Sequence, residues 1–549
     1  MRISGHIVDV FNKNIFDGTI IVEEGKIREA VHSAVPADAP YVMPGFTDAH
    51  IHIESTLLTP ENYARAAVSK GVVAVVADPH EIANVCGLEG IEFMMDNGRK
   101  SKFHFNFCAP SCVPCTTFET SGARIGHSDI AALLEKDEIC AVAEFMNAFG
   151  VLTGDPECKA KLDAARRAGK KVDGHAPGMS REDLFKYAAA GISTDHECVS
   201  LKEALDHLDA GMKVIIREGS ASCDFEALSP LLADHPGQLM FCSDDKYPDE
   251  LMDGYIDKMV SRAVAMGYPL WNVLDAACVT PVTHYGLRHG LLRQGDSADF
   301  IIVDNLRDFN VLATFITGEQ VFSSDCRNQH NPGCNCREKG WPNVFKAEKI
   351  AEEDIQVHWD TTKAPDARIK VIKAEDLSIR TGTMHAVPKV CGDRIVADTD
   401  DDILKIVVYS RYGHGRPQTA FIHGFGLKRG AMASSIAHDS HNIVAIGTSD
   451  KDIVSAINRL IELKGGIIVC DGEESHELPL PVGGLMSDLD CITVAERYRK
   501  LKKQAKLQGC PFNAAFMTLS FMCLPVIPEL KLTDKGLFDA TRFEFDAII

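Results

Sequence analysis

Between Gly71 and Asp244, short runs of β-branched and apolar residues alternate with amphipathic stretches, the pattern of repeated strand–helix units with a parallel sheet. The runs are GVVAVVADPH, KFHFNFCAPS, ICAVAEFMN, KKVDGHAP, GISTDHEC, MKVIIREG and QLMFCSDD. An earlier one, YVMPGFTDAHIHIE, brings the number to eight. Eight parallel strands with helices between them is the count of a (β/α)8 barrel, so the expected class is α/β with a barrel at its centre.

The flanks follow a different pattern. Residues 1–43 read as short strands with turns at Phe16-Asp17-Gly18 and Glu23-Glu24-Gly25, and GLLRQGDSADFIIVDNLRDFNVLATFITGEQVF at 290–322 again alternates as strands. Two β-rich pieces bracketing a barrel are expected to pair into one small β-sandwich. Beyond 345, strands at ILKIVVYSR, TAFIHGFG, NIVAIGTS and GGIIVCDG and a helix at DIVSAINRLIELKG predict a second α/β region with its own core. The expected division is 1–43 and 290–344 for the sandwich and a linker, 44–289 for the barrel, and 345–549 for the C-terminal domain.

A polar or ionisable residue closes nearly every barrel run: His50, Asp78, Cys108, Glu144, His175, His196, Arg217 and Asp244. In such a barrel the active site lies at the C-terminal ends of the strands, so these side chains are expected to converge. The densest signal is His50-Ile51-His52, where the two-residue period of a strand puts both histidines on one face at ligand spacing. With Glu144, His175, His196 and Asp244 the set holds four histidines and two carboxylates. That exceeds what one tetrahedral ion uses and fits two ions bridged by a carboxylate and a hydroxide. Such nitrogen and oxygen donors suit zinc, manganese, iron or cobalt.

Composition narrows the partners. The chain has 549 residues, 57 Lys+Arg against 78 Asp+Glu and a net charge of −21, which repels nucleic acid and anionic membrane surfaces. With no secretion-type N-terminal pattern and no run of apolar residues long enough to span a bilayer, a cytoplasmic protein is expected. Its 18 cysteines are expected to be reduced thiols. Cys326, His330, Cys334 and Cys336 sit in an Asn-, Gly- and Cys-rich stretch whose spacing matches no standard zinc pattern.

PGFTDAHIHIE, the glutamate of the fourth run, the histidines of the fifth and sixth and the aspartate of the eighth resemble the amidohydrolase superfamily. DPHEIANVCG, FCAPSCVP, FETSGA, VDGHAPG, FCSDDKYPDEL, IAHDSHNIV and ELKLTDKGLFD resemble the adenine deaminase family within it, from residue 44 to about 538. The chain departs from the family pattern at Cys115 and in the Cys-rich segment 326–336, and neither departure removes a ligand. The resemblance implies a hydrolase of free adenine, working in purine salvage or catabolism, with two divalent ions, manganese or iron, and a C-terminal domain typical of the family. It implies His50 and His52 on the first ion, Glu144 bridging, His175 and His196 on the second, and Asp244 as ligand and proton shuttle. Glu197 is a candidate to protonate a purine ring nitrogen. Asp78 and His80, with Glu81, are candidates for a supporting network or an additional ion site, and Ser111 and Asp245 for purine contacts. A homo-oligomer is also expected.

Other motifs carry less. His52-Ile53-Glu54 matches the H-x-E of cytidine-type zinc deaminases, but their P-C-x-x-C element is missing after Pro114-Cys115. Cys112-Val113-Pro114-Cys115 lacks the context of a thioredoxin-like site. His438-Asp439-Ser440-His441-Asn442 is dense in functional residue types without forming a nucleophilic triad, and its domain is expected to pack on the barrel and either cover its mouth or support oligomerisation. The runner-up function is another binuclear amidohydrolase cutting a cyclic amide or N-acyl group. A non-catalytic barrel scaffold predicts missing ligands, whereas all six matched positions are filled.

Overall fold

The computed structural model describes residues 1–326, 340–359 and 368–549. Of the Cys-rich segment, His330, Cys334 and Cys336 lie outside the described residues.

Eight parallel strands, Phe46–Ile51, Val72–Ala77, His104–Ala109, Ile139–Phe145, Lys171–Gly174, Thr194–Asp195, Lys213–Arg217 and Leu239–Cys242, stand side by side in chain order. The second strand, VVAVVA, is buried at every position, as a parallel sheet covered by helices requires. Several of the following helices begin on side-chain caps, with Asp155 accepting from Cys158 N, Ser180 from Asp183 N and Ser200 from Glu203 N. Ala49, Val76, Cys108, Ala141, Ile215, Met240 and Cys242 pack together as the barrel's inner cluster. Their modest size suits the narrow interior of an eight-stranded ring.

The ring closes through chain beyond the last strand. Asp244 N donates to His50 O at 3.0 Å and His52 N donates to Asp244 O at 3.3 Å. Asp48 reinforces this seam, its carboxylate accepting from Ser243 N at 3.2 Å, Ser243 Oγ at 2.5 Å and Tyr255 OH at 2.5 Å. Closure therefore brings His50, His52 and Asp244 to the same edge.

Gly174 ends the fifth strand directly before His175. A Cβ there would meet Thr194 O at 2.4 Å and Ile192 Cγ2 at 3.0 Å. Gly174→Ala is therefore expected to cost about 2 kcal/mol through overpacking, seen as a lower urea midpoint with unchanged slope.

The run that reads in sequence as one strand is two. Tyr41–Pro44 pairs parallel with Arg2–Asp9 and antiparallel with Phe300–Val303, and Phe46–Ile51 enters the barrel only after Gly45. A Cβ at Gly45 would meet Val73 Cγ1 at 2.3 Å, so the crossing between the sheets needs glycine. The flanking segments form one seven-stranded sheet, Glu319–Ser323, Val311–Ile316, Phe300–Val303, Tyr41–Pro44, Arg2–Asp9, Asn14–Glu23 and Lys26–His32 in spatial order. It gathers Ile7, Ile20, Val42, Phe300 and Phe315 into a core of its own.

In the C-terminal region the expected strands appear as Ile403–Tyr409, Gln418–His423, Ile443–Gly447 and Gly466–Asp471, with the helix at Asp450–Leu463. Four more, Ile369–Lys373, Gly382–Ala386, Ala431–Ser434 and Glu474–Pro479, complete an eight-stranded sheet. This region contacts loops at the strand ends of the barrel. Ser487 N donates to Leu57 O at 2.8 Å, Asn62 Nδ2 to Leu489 O at 2.8 Å, and Asn442 Nδ2 to Thr120 O at 3.0 Å. Among the described residues no helix is long and apolar enough to cross a membrane.

Candidate active site

Two irregularities in the barrel ladders fall beside the chemistry. The register between the first and second strands shifts between Asp48 and Ile51, and that between the fourth and fifth between Val142 and Phe145. Such bulges re-aim side chains, here at His50 and at Glu144. Asp244 adopts a left-handed backbone with φ of 54°, a conformation that aspartate tolerates better than most residues.

The six positions matched in sequence converge. His52 Nε2 is 3.2 Å from His50 Nε2, 3.2 Å from Asp244 Oδ1 and 3.3 Å from Glu144 Oε1. The other carboxylate oxygen, Glu144 Oε2, is 2.7 Å from His175 Nδ1 and 3.4 Å from His196 Nε2. Glu144 thus stands between His52 on one oxygen and the pair His175 and His196 on the other. His50 and His196 stack with ring centroids 4.1 Å apart.

The supporting contacts fix orientation. His52 Nδ1 donates to Asp78 O at 3.1 Å, which leaves Nε2 of the neutral ring with its lone pair toward the centre. Tyr187 OH donates to Phe145 O at 2.7 Å and accepts from His175 N at 3.1 Å, joining the ends of the fourth and fifth strands. The donor set fits divalent cations: imidazole nitrogens and carboxylate oxygens at the strand ends, aimed at common points and oriented from behind.

Burial alone would raise Glu144, yet His175, His196 and His52 hold it well below the usual carboxylate range. Burial likewise opposes ionisation of Asp244, and His52, Arg217 and His196 outweigh it. Arg217, at the end of the seventh strand, is the shared counter-charge: Nη1 lies 2.5 Å from Glu197 Oε1 and 2.8 Å from Asp244 Oδ2, while Nε is 3.0 Å from Asp224 Oδ2. Burial pushes Glu197 up, but Arg217 and His175 pull it far below its ordinary value. Arg217→Met would leave three carboxylates facing one another without this cation. A loss of about 3–5 kcal/mol in unfolding free energy is expected from breaking such a buried network, measured by urea denaturation. Arg217→Lys should recover only part, since lysine lacks the forked geometry.

The remaining sequence candidates separate. Asp245 lines the cavity, accepts from Ser55 Oγ at 2.5 Å, and is pushed up to about 6 by burial and by Asp244. Asp78 and His80 pair with each other, Oδ2 to Nδ1 at 2.8 Å, and His80 Nδ1 is 3.6 Å from Glu144 Oε1. Ser111 does not line the cavity: its hydroxyl donates to Glu144 O at 2.5 Å, so it holds the backbone of the fourth strand. Cys108 points into the apolar interior of the barrel. From the C-terminal region, which offered no residue by sequence motif alone, Ile379, Phe521, Leu524 and Ile527 provide an apolar wall, and His438 and Asp439 a polar one. His438 stacks on Phe521 with centroids 4.5 Å apart. For His438 and Asp439 the sequence signals were the density of His438-Asp439-Ser440-His441-Asn442 and the family resemblance of IAHDSHNIV around it.

Residues 41–321 match the family model for the amidohydrolase family, and 378–544 match that for the adenine deaminase C-terminal domain. The chain is 48% identical to an adenine deaminase of Methanosarcina mazei, over 98% of both chains, and 46% identical to one of Salinibacter ruber, over 99% of this chain and 98% of the relative. Among solved structures, N-acetyl-D-glucosamine-6-phosphate deacetylase from Mycobacterium smegmatis aligns with a TM-score of 0.46 at 17% identity, covering 59% of this chain and all of that one.

Proposed function

The chain belongs to the adenine deaminase family, and from that premise we infer that it hydrolyses adenine to hypoxanthine and ammonia at the mouth of its barrel. The observation that supports this most directly is the cavity itself. One side carries the converging imidazoles and carboxylates of the strand ends, and the other the apolar wall of Ile379, Phe521, Leu524 and Ile527, a combination suited to a flat heteroaromatic base with one reacting carbon.

The amidohydrolase family is metal-dependent, and grouped ligand residues are present here. We assign His50, His52, Glu144, His175, His196 and Asp244 as ligands of two divalent ions, manganese or iron, with zinc and cobalt compatible with the same donors. Bound there, the ions supply an ionised water at neutral pH.

The side chains then divide the work. Asp244, kept ionised by His52 and Arg217, accepts a proton at its carboxylate during attack on C6. Glu197 rests ionised against Arg217, so it serves a ring nitrogen only after it has itself received a proton. Arg217 Nη1 touches both carboxylates and holds the two proton sites beside one cation. The apolar wall excludes water and keeps the base in plane. With the ring protonated, C6 becomes tetrahedral; Asp244 then passes its proton to the exocyclic amine, which leaves as ammonia while the C6 hydroxyl returns a proton to Glu197 and becomes the carbonyl.

Incubating purified protein with adenine is expected to give hypoxanthine and ammonia in equal amounts. Loss of a cyclic amide or N-acyl substrate, with adenine untouched, would transfer the assignment to another amidohydrolase reaction.

A further inference from the structure

A second convergence of ligand-type atoms lies on the C-terminal wall of the cavity, which Glu81 and His438 help to line. Glu81 sits in the first turn of the helix His80–Gly98, while His438 and His441 belong to the connection between Ala431–Ser434 and Ile443–Gly447. His438 Nδ1 is 2.8 Å from Glu81 Oε1, and His441 Nε2 is 2.8 Å from Glu81 Oε2. The three ligand atoms lie within 4.8 Å of one another, and all three residues are buried, His441 completely.

This cluster is poorly satisfied as a hydrogen-bonded network. His441 Nε2 is paired with Glu81, but its Nδ1 makes no hydrogen bond among the described residues. Oδ2 of Asp439 also lacks a partner there, while its Oδ1 is 3.9 Å from His438 Nδ1. Each such buried group costs about 1–3 kcal/mol if left unpaired, and native proteins rarely gather several without a ligand to satisfy them. Glu54, pushed up to about 8 by burial and by Glu81, stands close enough to feel the charge of Glu81.

We propose that Glu81, His438 and His441, on the C-terminal wall of the cavity, bind a third divalent metal ion apart from the two assigned to the strand ends. Two imidazoles and a carboxylate form a nitrogen and oxygen set of the kind zinc, manganese or iron accepts. Glu81 comes from the barrel and the histidines from the C-terminal region. The ion therefore ties the wall that carries Phe521 to the barrel mouth.

The test is stoichiometry in the full-length chain. Chelator-stripped protein is titrated with Zn2+ against a chromophoric chelator, and ion content is confirmed by elemental analysis. His441→Gln is expected to bind one equivalent fewer than the unsubstituted protein and to lose part of the Zn2+-dependent rise in melting temperature. Equal stoichiometry in the two proteins overturns the proposal and leaves the cluster as an ion-paired contact. Should His441→Gln fail to fold, Glu81→Gln and His438→Gln are expected to show the same loss of one equivalent, and equal stoichiometry in either of them overturns the proposal as well.

Discussion

Asp244→Asn is expected to lower kcat for adenine about 10^4-fold while leaving the fold and KM nearly unchanged. Two functions are lost together. An amide cannot accept the proton released during attack, and general acid–base groups contribute about 10^2 to 10^4 on their own. It also offers a neutral oxygen where His52 and Arg217 face a carboxylate, 3.2 Å and 2.8 Å away. The backbone should not move. Asparagine accepts the left-handed conformation that Asp244 occupies at φ of 54°, and the seam to His50 and His52 is made by main-chain atoms. Steady-state kinetics at matched metal content decides the matter: a variant retaining more than a tenth of the activity would remove Asp244 from the chemistry. Thermal unfolding separates this outcome from collapse, because a damaged seam lowers the melting temperature whereas a lost proton acceptor does not.

The barrel was legible because its strands are local signals. VVAVVA, CAVAEF and KVII each carry their own β-branched or apolar pattern, and the strand-end rule then groups His50, His52, Glu144, His175, His196 and Asp244 without any knowledge of distance. Cys108 shows where that rule overreaches, since it occupies the same kind of position yet packs into the interior beside Val76 and Met240. Ser111 shows a similar limit: a hydroxyl after a strand reads as a ligand contact, but it is spent on the carbonyl of Glu144. The apolar wall was not legible. Phe521, Leu524 and Ile527 look like any buried residues in sequence, and only the docking of the C-terminal region, through hydrogen bonds between residues hundreds of positions apart, turns them toward the site. Period and spacing carry no information about such pairings.

Glu144→Gln should abolish turnover, to below about 10^-4 of the unsubstituted rate, and release metal that excess ion does not restore. The argument rests on the two ends of one carboxylate. Oε1 faces His52 at 3.3 Å, Oε2 faces His175 at 2.7 Å and His196 at 3.4 Å, so each end serves a different set of imidazoles. Glutamine has one acceptor oxygen and one NH2 group. Whichever way it turns, it presents a donor to one of the two sets and removes a formal negative charge that reaches both. Changing a single bridging atom thereby disturbs both halves of the site, unlike a histidine substitution, which touches one. Ser111 and Tyr187 hold the backbone on either side of Glu144 through its own carbonyl and that of Phe145, so the replacement amide cannot escape by shifting along the strand. Elemental analysis and hypoxanthine formation on the same preparation give the answer. A variant with full metal content and activity within tenfold would show that the imidazoles and Asp244 suffice, and that Glu144 serves only to orient His175.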